Sequence, residues 1–118
     1  IGEVVDRFWL DGPLAISAVE QVHFLSNLAR GQLPFPEAAQ ADVREITVIE
    51  TNEGKTLHAK TGWAGATEPD IGWWVGWVRD GDALHCFALN IDMPRGGKDA
   101  PKRIEIGRAV LRELGIFP

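Results

Sequence analysis

Cysteine is all but absent from this chain. Cys86 is the only one, so no internal disulfide can form and the redox compartment is left open. It lies in the apolar run His85-Cys86-Phe87-Ala88-Leu89, where a thiol is expected to be buried and inert. An excess of basic charge is absent as well: 12 Lys and Arg against 17 Asp and Glu give a net charge of −5. With no basic run and no interleaving of basic and aromatic residues, a general nucleic-acid partner is excluded. No apolar run has the length of a membrane span, so no membrane partner is expected. His23, His58 and His85 stand too far apart to share a metal with one another or with Cys86, and no metal is expected. The chain also lacks an initiating Met and a signal peptide; it begins at Ile1, as a processed or excised piece would.

What is present suffices for a core. The 118 residues are 45% hydrophobic and 25% charged, which suits one small domain or part of a larger one. Residues 1–13 read as irregular, with Trp9 in the apolar patch Phe8-Trp9-Leu10 and a turn at Asp11-Gly12-Pro13. Ser17-Ala18-Val19-Glu20 spells a capping box, so Ser17 is read as a cap and not as a nucleophile. Val19, Val22, Leu25 and Leu28 follow at helical spacing and Gly31 stops the pattern, which predicts an amphipathic helix over 18–30. A second helix starts at Pro36 with Ala39, Val43 and Ile46 on one face, and is expected to end in the β-branched run Ile46-Thr47-Val48-Ile49. Asn52-Glu53-Gly54-Lys55 is a turn.

Three antiparallel strands are predicted next, over 56–62, 71–79 and 83–91. On the second, Trp73, Val75 and Trp77 share one face, and Gly72, Trp74 and Gly76 the other, where the glycines admit another backbone. Asp80-Gly81 signals a hairpin. The continuous apolar character of 83–91 predicts burial on both faces. A polar loop with Gly96-Gly97 leads to a last helix opened by Pro101, with Ile104, Gly107, Leu111 and Leu114 facing the core and Gly115 closing it. The expected class is α/β in the broad (α+β) sense: an antiparallel sheet flanked by helices. Taken by themselves, Lys60 and Arg103 are solvated surface charges, and Trp73, Trp74 and Trp77 are sheet packing.

Lys60-Thr61-Gly62 ends the first predicted strand, and Gly72-Trp73-Trp74-Val75-Gly76-Trp77-Val78 forms the next. Together with Phe8-Trp9-Leu10-Asp11-Gly12, Ile16-Ser17-Ala18-Val19-Glu20-Gln21-Val22 and Asn90-Ile91-Asp92-Met93, in that order and spacing, they resemble the class D (oxacillinase-type) serine β-lactamases. The resemblance spans essentially the whole chain but only the C-terminal part of that family's domain. No Ser-x-x-Lys or Tyr-Gly-Asn is found, and Ser17-Ala18-Val19 matches a helix of the family, not its catalytic Ser-x-Val. Residues 1–118 are therefore expected to be the C-terminal part of one β-lactamase-like domain, with the transpeptidase fold incomplete and strand 83–92 paired with a segment outside the chain.

The resemblance implies hydrolysis of β-lactam antibiotics through an acyl-serine intermediate, in a periplasmic or secreted protein. Lys60 would supply charge, Thr61 a hydroxyl and Gly62 room for the substrate. The backbone N–H of Trp63 would be one oxyanion donor, and Arg103 would bind the drug carboxylate, with Lys102 as the alternative one residue away. Trp9 would sit beside a lysine modified by carbon dioxide, the family's general base, which belongs to the missing part; the chain itself carries no cofactor. The partners implied are a β-lactam and the missing N-terminal segment, with oligomerisation left open. The rival readings are a β-lactam sensor that holds the acyl group without hydrolysing it, and an inactive remnant. The residues present are expected to be inactive alone.

Overall fold

A computed structural model of the chain describes residues 15–118. The elements run α1 (Ala18–Ala29), α2 (Glu37–Ile46), β1 (Val48–Asn52), β2 (Lys55–Ala64), β3 (Asp70–Asp80), β4 (Ala83–Met93), a single 3₁₀ turn (Gly96–Lys98) and α3 (Lys102–Glu113). The four strands form an antiparallel meander in the order β1-β2-β3-β4. The antiparallel sheet flanked by helices is as expected.

The capping box forms: the Glu20 N–H donates to Ser17 Oγ at 3.1 Å, and the Ser17 N–H donates to Glu20 Oε1 at 3.0 Å. Gly31, at φ +68°, ends the helix in the left-handed conformation that only glycine adopts cheaply. The carbonyls at the end of α1 then meet two guanidiniums from far along the chain. Arg44 Nη1 donates to Leu28 O at 3.1 Å and Arg79 Nη2 to Ala29 O at 3.3 Å, which suits the negative end of a helix dipole.

The sheet divides the core in two. On one face Leu25, Leu28 and Ala29 of α1 pack on Val75 and Trp77, with Trp73, Leu84, Cys86 and Ala88 around them. On the other, Leu111 of α3 and Phe117 pack on Leu57, Ala59, Trp74 and Val78. The alternation along β3 thus places its side chains as the period of two requires. Removing each of the buried Leu, Val and Phe side chains from water contributes about 1.5–3 kcal/mol.

Several expectations need correction. A fourth strand, β1, lies where only the end of a helix was expected. Val48 pairs with His58 and Asn52 with Lys55, with an irregularity at Ile49 between Val48 and Glu50. Helix α2 does not bury Ala39, Val43 and Ile46; Ile46 is 79% exposed. Its buried residue is Gln40, whose amide takes the Leu33 N–H at 3.0 Å and donates to Leu33 O at 3.0 Å and Phe35 O at 2.8 Å. A fully satisfied amide, not an apolar stripe, holds α2 to the loop before it. Val19 is 67% exposed; the buried residues of α1 are Leu25, Leu28 and Ala29 in its later turns. Ile104 and Leu114 are exposed because α3 touches the sheet through the narrow footprint of Gly107 and Leu111. Strand β4 is half-buried, since its outer edge has no partner among the described residues. Cys86 is likewise half-buried, and burial pushes its thiol pKa up, away from the reactive thiolate.

The β1–β2 hairpin closes through a two-residue loop with positive φ at both positions, +53° at Glu53 and +78° at Gly54. That is the type I′ pattern, in which Asn is favoured before Gly. A glutamate there carries left-handed strain of roughly 1 kcal/mol. Glu53→Asn in the complete protein is expected to raise unfolding stability by about 0.5–1 kcal/mol, read by chemical denaturation. A loss would mean that the Glu53 side chain makes a compensating contact.

Candidate functional site

Strand β2 is covered unevenly. The β1 ladder reaches only as far as His58, and the last bond on that side runs from the Ala59 N–H to Thr47 O at 3.0 Å. From Lys60 to Ala64 the strand pairs with β3 alone among the described residues. Successive backbone groups alternate sides in an antiparallel strand. The N–H groups of Thr61 and Trp63 therefore face the same side as that of Ala59, which beyond Thr47 has no strand partner among the described residues.

Lys60, Thr61 and Gly62 border a cavity of about 250 Å³ on that half of the strand. Trp73 and Val75 of β3 line it as well, and Gln21 and Ile16 approach from the start of α1. A second cavity of about 220 Å³ adjoins it and shares Gln21, Lys60 and Val75. Lys60 is exposed, and its ammonium donates to Thr61 O at 2.9 Å; it has no carboxylate partner among the described residues. Gln21 is a lining residue that its place in a helical pattern did not reveal. Its signal is its distance of one helical turn from the Ser17 cap, which puts it at the helix end nearest β2.

Arg103 reaches the same strand end from α3. Its Nη1 donates to Gly62 O at 2.9 Å and its Nε to Ala100 O at 2.9 Å, while Nη2 makes no hydrogen bond among the described residues. The guanidinium carbon lies 5.8 Å from the centre of the Trp63 ring, within cation–π range. Gly72 makes room for this: a Cβ there would fall 2.7 Å from Arg103 Cδ. Trp63 is 48% exposed and donates from Nε1 to Asp70 Oδ2 at 2.9 Å.

Lys102 points elsewhere. Its ammonium is 3.1 Å from Oδ1 of the buried Asp99, which also receives the Arg95 backbone N–H at 2.8 Å and two Arg95 guanidinium donors. The backbone N–H is the chief cause holding the Asp99 carboxyl down at about 2; burial opposes it, and the Arg95 and Lys102 contacts add to it. The network fixes the loop between β4 and α3 and leaves Arg103 the basic residue beside Gly62. The structure thus brings Lys60, Thr61, Gly62, Trp63 and Arg103 to one strand end. Trp9 lies outside the described residues.

A larger cavity, about 360 Å³, lies at the other end of β2, beside His58, Trp77, Arg44 and Arg79. Its groups are already committed. His58 stacks on Trp77 with ring centres 4.4 Å apart, and its Nδ1 is 2.8 Å from Arg44 O. Burial is the main cause that lowers the His58 pKa, which keeps the ring neutral near pH 7. Both guanidiniums bind the end of α1, and Arg44 also pairs with Glu37. Among the described residues no cluster of His, Cys, Asp and Glu has the form of a metal site, and no helix is long and apolar enough to cross a membrane.

Residues 1–112 match the family described as the penicillin binding protein transpeptidase domain. The chain is 44% identical over 111 residues to β-lactamase OXA-2 of Salmonella typhimurium, covering 94% of this chain and 39% of that protein. It is 42% identical over 114 residues to β-lactamase OXA-48 of Klebsiella pneumoniae, covering 97% and 43%. Among solved structures it resembles FUS-1 (OXA-85), a class D β-lactamase from Fusobacterium nucleatum subsp. polymorphum. The TM-score is 0.91 at 42% identity, over 100% of this chain and 49% of that one. The class D β-lactamase YbXI from Nostoc gives 0.87 at 42%, over 95% and 46%. The chain spans less than half the length of each of these relatives.

Proposed function

Since the chain belongs to the penicillin binding protein transpeptidase family, with class D β-lactamases as its relatives, we propose that it is the substrate-binding half of a β-lactam hydrolase. The complete protein would open the lactam amide by attack of a serine Oγ on the carbonyl carbon. The C–N bond breaks, the ring nitrogen takes a proton, and water then releases the acyl group from the serine. The serine would come from a Ser-x-x-Lys segment outside residues 1–118. A lysine carboxylated by carbon dioxide on that segment would supply the general base, with Trp9 beside it.

The observation that carries this reading is the end of β2 left unpaired on one side among the described residues, where Lys60 and Thr61 border a cavity and Arg103 bonds the Gly62 carbonyl beside it. The chain has a net charge of −5, so its overall field repels an anionic drug. Lys60 and Arg103 reverse that sign locally. Arg103, anchored through Nε and Nη1, presents Nη2 to a carboxylate, and Thr61 adds a hydroxyl donor. The Trp63 N–H, on the side with no strand partner among the described residues, stabilises charge developing on the lactam oxygen, an effect worth about 3–4 kcal/mol in such sites. Gly62 keeps the strand edge low enough for the substrate to lie along it. Such a protein would act in the periplasm or outside the cell, with the drug and the Ser-x-x-Lys segment as partners.

The test is steady-state kinetics of the complete protein. Arg103→Ala is expected to raise KM for penicillins roughly tenfold with little change in kcat, because a carboxylate contact is made in ground and transition states alike. Lys102→Ala, which breaks the Asp99 pair instead, should leave KM near its original value. The opposite ranking would move the carboxylate site by one residue. Stable acylation without turnover would make the protein a sensor.

A further inference from the structure

Trp63 poses a problem that the proposed reaction does not answer. A large aromatic ring that stands half in water is ordinarily free to change rotamer, yet this one is held on three sides. Asp70 Oδ2 accepts its indole N–H at 2.9 Å. The Arg103 guanidinium lies against its face, 5.8 Å from the centroid. The backbone of Gly96 and Gly97 borders its far edge, where added Cβ atoms would come within 3.7 and 3.9 Å of the ring. The Asp70 contact crosses the β2–β3 connection, which is itself tied by Thr67 Oγ1 donating to Pro69 O at 2.8 Å. Arg103, for its part, is hydrogen-bonded through two of its nitrogens among the described residues, and the Trp63 ring lies against its guanidinium.

We propose that Asp70 is a positioning residue: by holding the indole N–H it fixes the Trp63 ring, and the ring fixes the plane of the Arg103 guanidinium so that Nη2 meets the substrate carboxylate. The inference rests on the carboxylate-binding role given to Arg103 above. It is a chain of three contacts, each with a separate chemical basis. The first is a hydrogen bond from the indole N–H to a side-chain oxygen, the second a cation–π contact, and the third the free edge of a planar fork. Asp70 is negative and would repel an anionic drug if its charge were what mattered. Its value must then lie in the acceptor oxygen, which an asparagine carbonyl also provides.

The experiment uses the complete protein and benzylpenicillin. Asp70→Ala is expected to raise KM about fivefold with kcat unchanged, the size of effect that loss of one such contact gives. Asp70→Asn should restore KM to the parent value or below it. Trp63→Phe, which keeps a ring but removes the N–H, should match Asp70→Ala, and the double variant should be no worse than either alone, since both cut the same link. Hydrogen exchange of the Trp63 indole N–H, followed by NMR without any substrate, should speed up in Asp70→Ala and not in Asp70→Asn. An unchanged KM in Asp70→Ala, additive losses in the double variant, or failure of Asp70→Asn to rescue would each overturn the proposal. If Arg103→Ala leaves KM unchanged, the carboxylate-binding reading falls and this inference with it. If Arg103→Ala raises KM while Asp70→Ala does not, only this inference falls.

Discussion

Gly76→Ala is expected to destabilise the complete protein by about 3 kcal/mol or more, a large share of the total stability of a marginally stable domain. A Cβ at Gly76 would lie 1.9 Å from the carbonyl oxygen of His58, 2.9 Å from its carbon and 2.8 Å from Ala59 Cα. These atoms are backbone of the neighbouring strand, paired with Gly76 through the Ala59 register. A crowded side chain can change rotamer, but a crowded strand must leave its ladder. Gly107 offers the contrast: there the added Cβ would fall 2.1 Å from Trp74 Cε3, a ring that a small shift of α3 could relieve. Because β2 carries the Lys60–Gly62 end, its displacement should abolish activity as well. Chemical denaturation measures the effect, and a change within about 0.5 kcal/mol would mean that β2 and β3 separate without cost.

Lys60→Ala should lower kcat/KM for penicillins by at least roughly tenfold while leaving the melting temperature nearly unchanged. The side chain is exposed and its ammonium bonds only the Thr61 carbonyl among the described residues, so little packing is lost. What is lost is the positive charge on the cavity, facing an anionic substrate in a chain of net charge −5. Activity and thermal stability falling together would assign Lys60 a structural task instead.

The residues that announced themselves in the sequence did so through local chemistry. Ser17 and Glu20 specify their cap within four residues of chain, and the alternation along Ile71–Arg79 sorts Trp73, Val75 and Trp77 from Trp74 without any tertiary knowledge. Lys60, Thr61 and Gly62 were legible as a motif. Strand β1 was not, because α2 ends at Ile46 and β1 begins at Val48 with Thr47 alone between them. One residue gives no turn signal, and a β-branched run suits the end of a helix as well as the start of a strand. Thr47 serves both: its hydroxyl donates to carbonyls of α2, and its own carbonyl accepts from Ala59 of β2. Gln40 was hidden for a different reason. An amide has no place in a hydrophobic pattern, and its burial depends on the carbonyls of Leu33 and Phe35 turning toward it. Strand β4 is only half-buried among the described residues because its outer edge has no partner there, and composition does not say where a strand's partner comes from. Asp70 escaped notice because its contact with Trp63 depends on the path of the loop between them, which no spacing rule fixes.

The central claim is that this chain binds the β-lactam and another segment attacks it. The chain holds two serines, Ser17 and Ser26, and neither has a lysine three residues on. The direct measurement is to quench the complete protein during penicillin turnover, digest it, and locate the penicilloyl group by mass spectrometry. The account predicts an adduct on a serine of a Ser-x-x-Lys sequence outside residues 1–118, weakened in yield when Lys60 is replaced by alanine. An adduct on Ser17 or Ser26 would contradict it.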